Sequence, residues 1–187
     1  MSRGTGLVNG RSGFAMTLSR HSRTALNYSR IKDIRKIMRA RYRIRRARTG
    51  DLHRIGEIET ASFGREAYDR KLFAAYLRTC GELFLIAELA GNICGYFLCC
   101  LRGPSAELVS VAVAPEFRAS GAASALLESG LRRLRRRGAA RLHLVVRVNN
   151  RAARAFYEKY QFRRLRIVPR YYEDGGDGIS MSRPVRL

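Results

Sequence analysis

The chain has 187 residues, enough for one compact domain with a real core, and its 46% hydrophobic content is that of an ordinary globular protein. Charge is the outlying property: 37 Lys plus Arg face 15 Asp plus Glu, a net +22 that attracts polyanions. The longest charge-free apolar stretch, Leu89 to Leu101, is too short to cross a bilayer, so a soluble, cytoplasmic protein is expected.

Residues 1–50 hold twelve Arg and two Lys against the single Asp33. Residues 1–40 show no sustained apolar period and read as a basic, disordered leader. An Arg- and Ser-rich transit peptide, or a start codon nearer Met38, would look the same. The domain proper is expected over residues 41–187.

Tyr42 to Arg48 opens a strand, and Thr49-Gly50-Asp51 caps a helix whose apolar face is Leu52, Ile55, Ile58 and Ala61. Asp69 caps a second helix with Leu72, Phe73, Tyr76 and Leu77, followed by a hairpin of Leu83–Leu89 and Ile93–Leu101 around Ala90-Gly91-Asn92. Glu107–Val113 is a further strand, with Val109, Val111 and Val113 alternating along one face. A helix follows from about Gly121 to Arg136, then a strand Leu142–Val148, a helix from Asn149-Asn150 to Tyr160, and strands Phe162–Val168 and Ile179–Arg183. The order β-α-α-β-β-β-α-β-α-β-β is that of a mixed α/β layer fold.

Cys80, Cys94, Cys99 and Cys100 include three in one apolar run and are expected to pack in the core as small hydrophobes; their spacing is not that of a zinc site, and no metal is expected. His21, His53 and His143 are scattered, with no Ser or Cys beside them to suggest a nucleophile triad.

The segment Ser110 to Leu127 carries the chemistry, because a strand runs into Arg118-Ala-Ser-Gly121-Ala-Ala123 and straight into a helix. The unpaired N–H groups and positive dipole of that helix start form a natural phosphate cradle, with Gly121 permitting close approach. Further on, Asn150-Arg-Ala-Ala-Arg-Ala-Phe-Tyr157 leads to Phe162. These two stretches resemble the Arg-x-x-Gly-x-Ala and Asn-x-x-Ala-x-x-x-Tyr motifs of the GNAT acetyltransferases, and the likeness extends over Tyr42 to Pro184. It is nearest to the branch that acetylates protein N-termini, including ribosomal-protein alanine acetyltransferases.

That resemblance implies a mixed, mostly antiparallel sheet of six to seven strands, helices on both faces, and a splayed central strand pair. It implies acetyl-CoA as co-substrate, with the backbone of Val111, Ala112 and Val113 pairing with the pantetheine arm. Arg118, Ala119, Ser120, Gly121, Ala122, Ala123 and Ser124 would hold the pyrophosphate, aided by Arg151 and Arg154. Asn150 would bond the cofactor arm and Tyr157 would donate a proton to the departing thiolate. Tyr68, Tyr171 and Tyr172 fall in segments that wall the substrate groove.

In the ribosomal-protein alanine acetyltransferases a catalytic Glu lies five positions before the Asn, where this chain has Val145. Two carboxylates can replace it as base: Glu107, at the start of the cofactor strand, and Glu66, in Gly64-Arg-Glu-Ala-Tyr68. An α-amine with pKa near 8 is about 10% neutral at pH 7, so a feeble base suffices for a protein N-terminus. A small-molecule amine is the alternative acceptor. The basic runs Leu131–Arg137 and Arg163–Arg166 point to a second alternative, a non-catalytic module bound to the ribosome or RNA. A monomer or weak dimer is expected.

Overall fold

The computed structural model describes residues 42–185; the leader expected over residues 1–40 lies outside them. Seven strands form one sheet in the order β1-β2-β3-β4-β5-β7-β6. They are β1 (Arg43–Arg46), β2 (Phe84–Leu89), β3 (Asn92–Arg102), β4 (Ser105–Val113), β5 (Arg141–Arg147), β6 (Arg163–Val168) and β7 (Gly178–Pro184). All neighbours run antiparallel except β4 and β5. Helices α1 (Leu52–Phe63) and α2 (Arg70–Cys80) cover one face; α3 (Ala122–Arg136) and α4 (Arg151–Lys159) cover the other. No helix among the described residues is long and apolar enough to cross a membrane.

Each face has its own core. Ile55, Ile58, Phe73, Ile86, Tyr96 and Leu98 pack under α1 and α2. Phe97, Leu108, Leu126, Leu134, Leu142 and Tyr157 pack under α3 and α4. Strand β3 is buried on both sides, which is why Cys94 to Cys100 reads as an unbroken apolar run rather than an alternating one.

The expected alternation of Val109, Val111 and Val113 on one face does not hold. Leu98 pairs with Ser110 but Cys99 pairs with Leu108, so Val109 is an extra residue in β4. This bulge resets the period. Val109 therefore joins the core under α1 and α2, while Val111 and Val113 belong to the opposite one.

The cysteines also depart from expectation. Cys94 and Cys99 are buried free thiols, but Cys80 and Cys100 form a disulfide across a Cα–Cα distance of 5.1 Å. Alternation along β3 turns Cys99 away from α2 and Cys100 toward it, so only the latter meets the helix end. At the first helix, Thr49–Asp51 is a 3-10 turn, and Asp51 accepts the Arg48 N–H at 2.7 Å instead of capping the helix it precedes. Arg45 holds that carboxylate with two further bonds, at 2.7 and 2.9 Å.

Candidate active site

The site begins where the sheet comes apart. Strands β4 and β5 pair through Ser105↔Arg141, Ala106↔Leu142 and Glu107↔His143, and the pairing stops there. Beyond Glu107 the strand keeps β3 on one side only, up to Val113, so the backbone from Leu108 to Val113 faces a gap on the other. Buried amide groups need partners, and an extended ligand laid in this gap would supply them as an added strand does.

The gap leads to the turn before α3. Gly121 sits at φ 94°, where a side chain is strained, and Ala119 at φ 61°. No side chain caps α3, so its first N–H groups are left to an external acceptor. Ser120 donates to the Phe117 carbonyl and receives the Tyr42 hydroxyl at 2.5 Å, which fixes the turn to the start of β1. Arg118 Nη2 in this turn and Arg154 Nε on α4 are buried with no hydrogen-bond partner. Arg118 Nε and Arg154 Nη1 are anchored on the carbonyls of Val113 and Val148, at 3.4 and 2.6 Å. A diphosphate fits this set of donors in both charge and hydrogen-bonding capacity.

At the entrance to α4 the Asn150 carboxamide oxygen accepts the Ala153 N–H at 3.0 Å, the expected cap. Two turns on, Tyr157 is 0% exposed, with its ring edge-on to Phe162 at 5.4 Å.

The opposite face of the split, toward α1 and α2, carries Glu107. A cavity of about 260 Å³ is lined there by Glu107, His143, Val145 and Ser180 together with Arg102. Burial raises the Glu107 carboxyl above the ordinary glutamate range, and Arg102, 3.9 Å away, offsets this in part. His143 is pushed down by burial and by Arg141, so its imidazole is neutral at physiological pH. Tyr76, 6% exposed, reaches toward Glu107 from α2; its hydroxyl is buried without a hydrogen bond, and burial followed by the Glu107 charge raises its pKa.

Two loops stand beside this cavity. In the loop between α1 and α2, Glu66 pairs with Arg147 at the end of β5. From the loop between β6 and β7, Asp174 binds the same guanidinium at 3.0 and 3.1 Å, and the Tyr172 ring lies under it at 3.9 Å. Gly176 allows this approach, since a Cβ there would lie 2.6 Å from Arg147 Nη1. Tyr172 is only 5% exposed and meets Tyr171 edge-on at 5.1 Å. The first loop is pinned from beneath: the buried Glu59 accepts the Tyr68 N–H at 3.0 Å and the Tyr96 hydroxyl, which also meets Ser110 at 2.7 Å. Tyr68 itself packs on Phe73 at 5.9 Å.

Glu107 and Val145 thus share a cavity, whereas Glu66 is engaged at the groove wall with Arg147. Arg147, Glu59, Tyr76 and His143 were not among the site residues expected from the sequence. Arg147 had a signal, its place two residues after Val145 on the same strand face; the other three are read only from the packing.

The profile of the acetyltransferase (GNAT) family matches residues 43–162. An N-alpha-acetyltransferase of Sulfolobus acidocaldarius is 31% identical over 157 residues, covering 77% of this chain and 93% of that protein. Among solved structures, Ard1 from Thermoplasma volcanium superposes with a TM-score of 0.75 at 28% identity, covering 79% of this chain and 99% of its own. The ribosomal-protein-S18-alanine N-acetyltransferase from Escherichia coli gives 0.70 at 30% identity, covering 78% and 95%. With the strand split, the uncapped α3 and these matches in agreement, the chain belongs to the GNAT family of acetyltransferases and is an acyltransferase.

Proposed function

We propose that the protein transfers an acetyl group from acetyl-CoA to the N-terminal α-amine of a protein or peptide. The observation that carries this reading is Glu107: a carboxylate with a raised pKa, in a cavity at the point where β4 and β5 separate. An α-amine with pKa near 8 is about 10% neutral at pH 7 and so asks less of its base than a lysine does. The relatives named as N-alpha-acetyltransferase and ribosomal-protein-S18-alanine N-acetyltransferase support the same acceptor class.

Bound acetyl-CoA would supply a thioester, whose carbonyl carbon is open to attack and whose sulfur is a good leaving group. Val111, Ala112 and Val113 would align its arm through backbone bonds on the open side of β4. Arg118, Ala119, Ser120, Gly121, Ala122, Ala123 and Ser124 would hold the diphosphate, with Arg151 and Arg154 adding charge. The Asn150 oxygen serves the helix cap, and Nδ2 would offer a donor to the arm. Glu107 would take a proton from the attacking amine and Tyr157 would give one to the departing thiolate. Tyr68, Tyr171 and Tyr172 would shape the groove, and Glu66 with Arg147 would tie its walls together.

The test is a peptide panel varying the first two residues over Ala, Ser, Met, Thr and Gly, run beside free amines and read by thiol release. Acetylation at the peptide α-amine, located by mass spectrometry, is expected. Turnover of free amines alone would remove the N-terminal reading.

A further inference from the structure

We propose that His143 is a second proton carrier of the transfer site: it stands beside Glu107 across the parallel pair β4–β5, lines the same cavity, and receives from Glu107 the proton that leaves the acceptor amine. The proposal rests on the acceptor reading above and extends it to where that proton goes next.

Glu107↔His143 is the final register pair before the strands part, so the two side chains emerge side by side at the floor of the split. Both lie on the face that turns toward α1 and α2, because Leu142, Leu144 and Val146 take the opposite one. They share the cavity of about 260 Å³ with Val145, the position at which the branch's usual base is replaced. The Glu107 side chain is 34% exposed, so about two-thirds of its surface is covered by the protein.

Burial moves the carboxyl up and the imidazole down, which brings the two proton affinities toward each other. The surrounding groups are Arg102 from the end of β3, Arg141 on β5, Tyr76 from α2 and Ser180 from β7. Arg141 disfavours a lasting imidazolium, which favours release of the proton to solvent.

The steps balance. The amine nitrogen forms the C–N bond as the C–S bond breaks, and its proton passes to the Glu107 carboxylate. Neutral His143 takes that proton on a ring nitrogen and gives it to water, restoring both groups. Tyr157 protonates the thiolate and is itself reprotonated from solvent.

The experiment compares wild type with His143→Ala and His143→Gln, using acetyl-CoA and the fastest peptide of the panel. Calorimetric CoA binding serves as the check on folding. Wild-type log kcat should fall with two protons on the acid side and H143Q with one. H143A should lose about tenfold or more in kcat at unchanged acetyl-CoA KM, and added imidazole should restore it by filling the vacated space. Wild-type kcat in H143A, or a loss that imidazole does not restore with the slope unaltered, overturns the proposal. A wild-type enzyme inactive on every peptide instead overturns the acceptor reading, and the proposal with it.

Discussion

Arg147 and Glu66, 81 residues apart in sequence, are joined as an ion pair between β5 and the loop after α1. The same guanidinium binds Asp174 in the loop between β6 and β7, so one side chain ties together both walls of the proposed acceptor groove. Both members of the Arg147–Glu66 pair are about one-fifth exposed, shielded enough for the pairing to hold the walls in register. Arg147→Ala should raise the peptide KM about tenfold and leave the acetyl-CoA KM unchanged. Because Glu66 acts through the same contact, adding Glu66→Gln should cost little more, and a double-mutant cycle with additive effects would contradict the shared latch.

Glu107→Gln should remove one of the two protons from the acid limb of the pH–rate profile, leaving the limb that belongs to His143. A base must be deprotonated, so wild-type kcat falls as pH drops through the Glu107 pKa, which burial places above the ordinary 4.5. Rates measured by thiol release from pH 5 to 9 check this; an unchanged profile in the variant would remove Glu107 as base.

Tyr157→Phe keeps the buried ring and its contact with Phe162 but deletes the hydroxyl. If that hydroxyl protonates the leaving thiolate, kcat should fall by about 10²-fold while calorimetric CoA affinity stays the same. A loss of affinity with kcat retained would make Tyr157 a packing residue.

Gly130 lets α3 settle on β3, since a Cβ there would lie 2.6 Å from the Phe97 ring. Phe97 is fully buried and cannot swing aside. Gly130→Ala should therefore cost about 1–3 kcal/mol by overpacking, less about 1 kcal/mol of gained helix propensity. The net cost of about 0–2 kcal/mol corresponds to a fall in Tm of up to about 8 °C, read by circular dichroism.

The Cys80–Cys100 bond closes a loop of 20 residues and should contribute about 3 kcal/mol by restricting the unfolded chain. Thiol titration in denaturant without reductant should find Cys94 and Cys99 reactive and the other two silent. Four reactive thiols would show the bond absent.

What the sequence alone determined is local. The order of strands and helices, the caps at Asp69 and Asn150, and the turn from Arg118 to Ser124 each depend on a few adjacent residues, and the structure contains all of them. The family likeness could be read for the same reason, because its motifs are contiguous. Tertiary structure decided the rest. The bulge at Val109 depends on how β3 and β4 pair, which no period within one strand encodes. Cys100 finds Cys80 only because α2 ends above β3. His143 looked isolated until the parallel register set it beside Glu107, and Arg147 acquired partners only when two distant loops converged on β5. Residue type and spacing specify a local conformation. Pairing across the sheet determines which side chains meet, and in this protein the proposed acceptor side of the site is built almost entirely from such meetings.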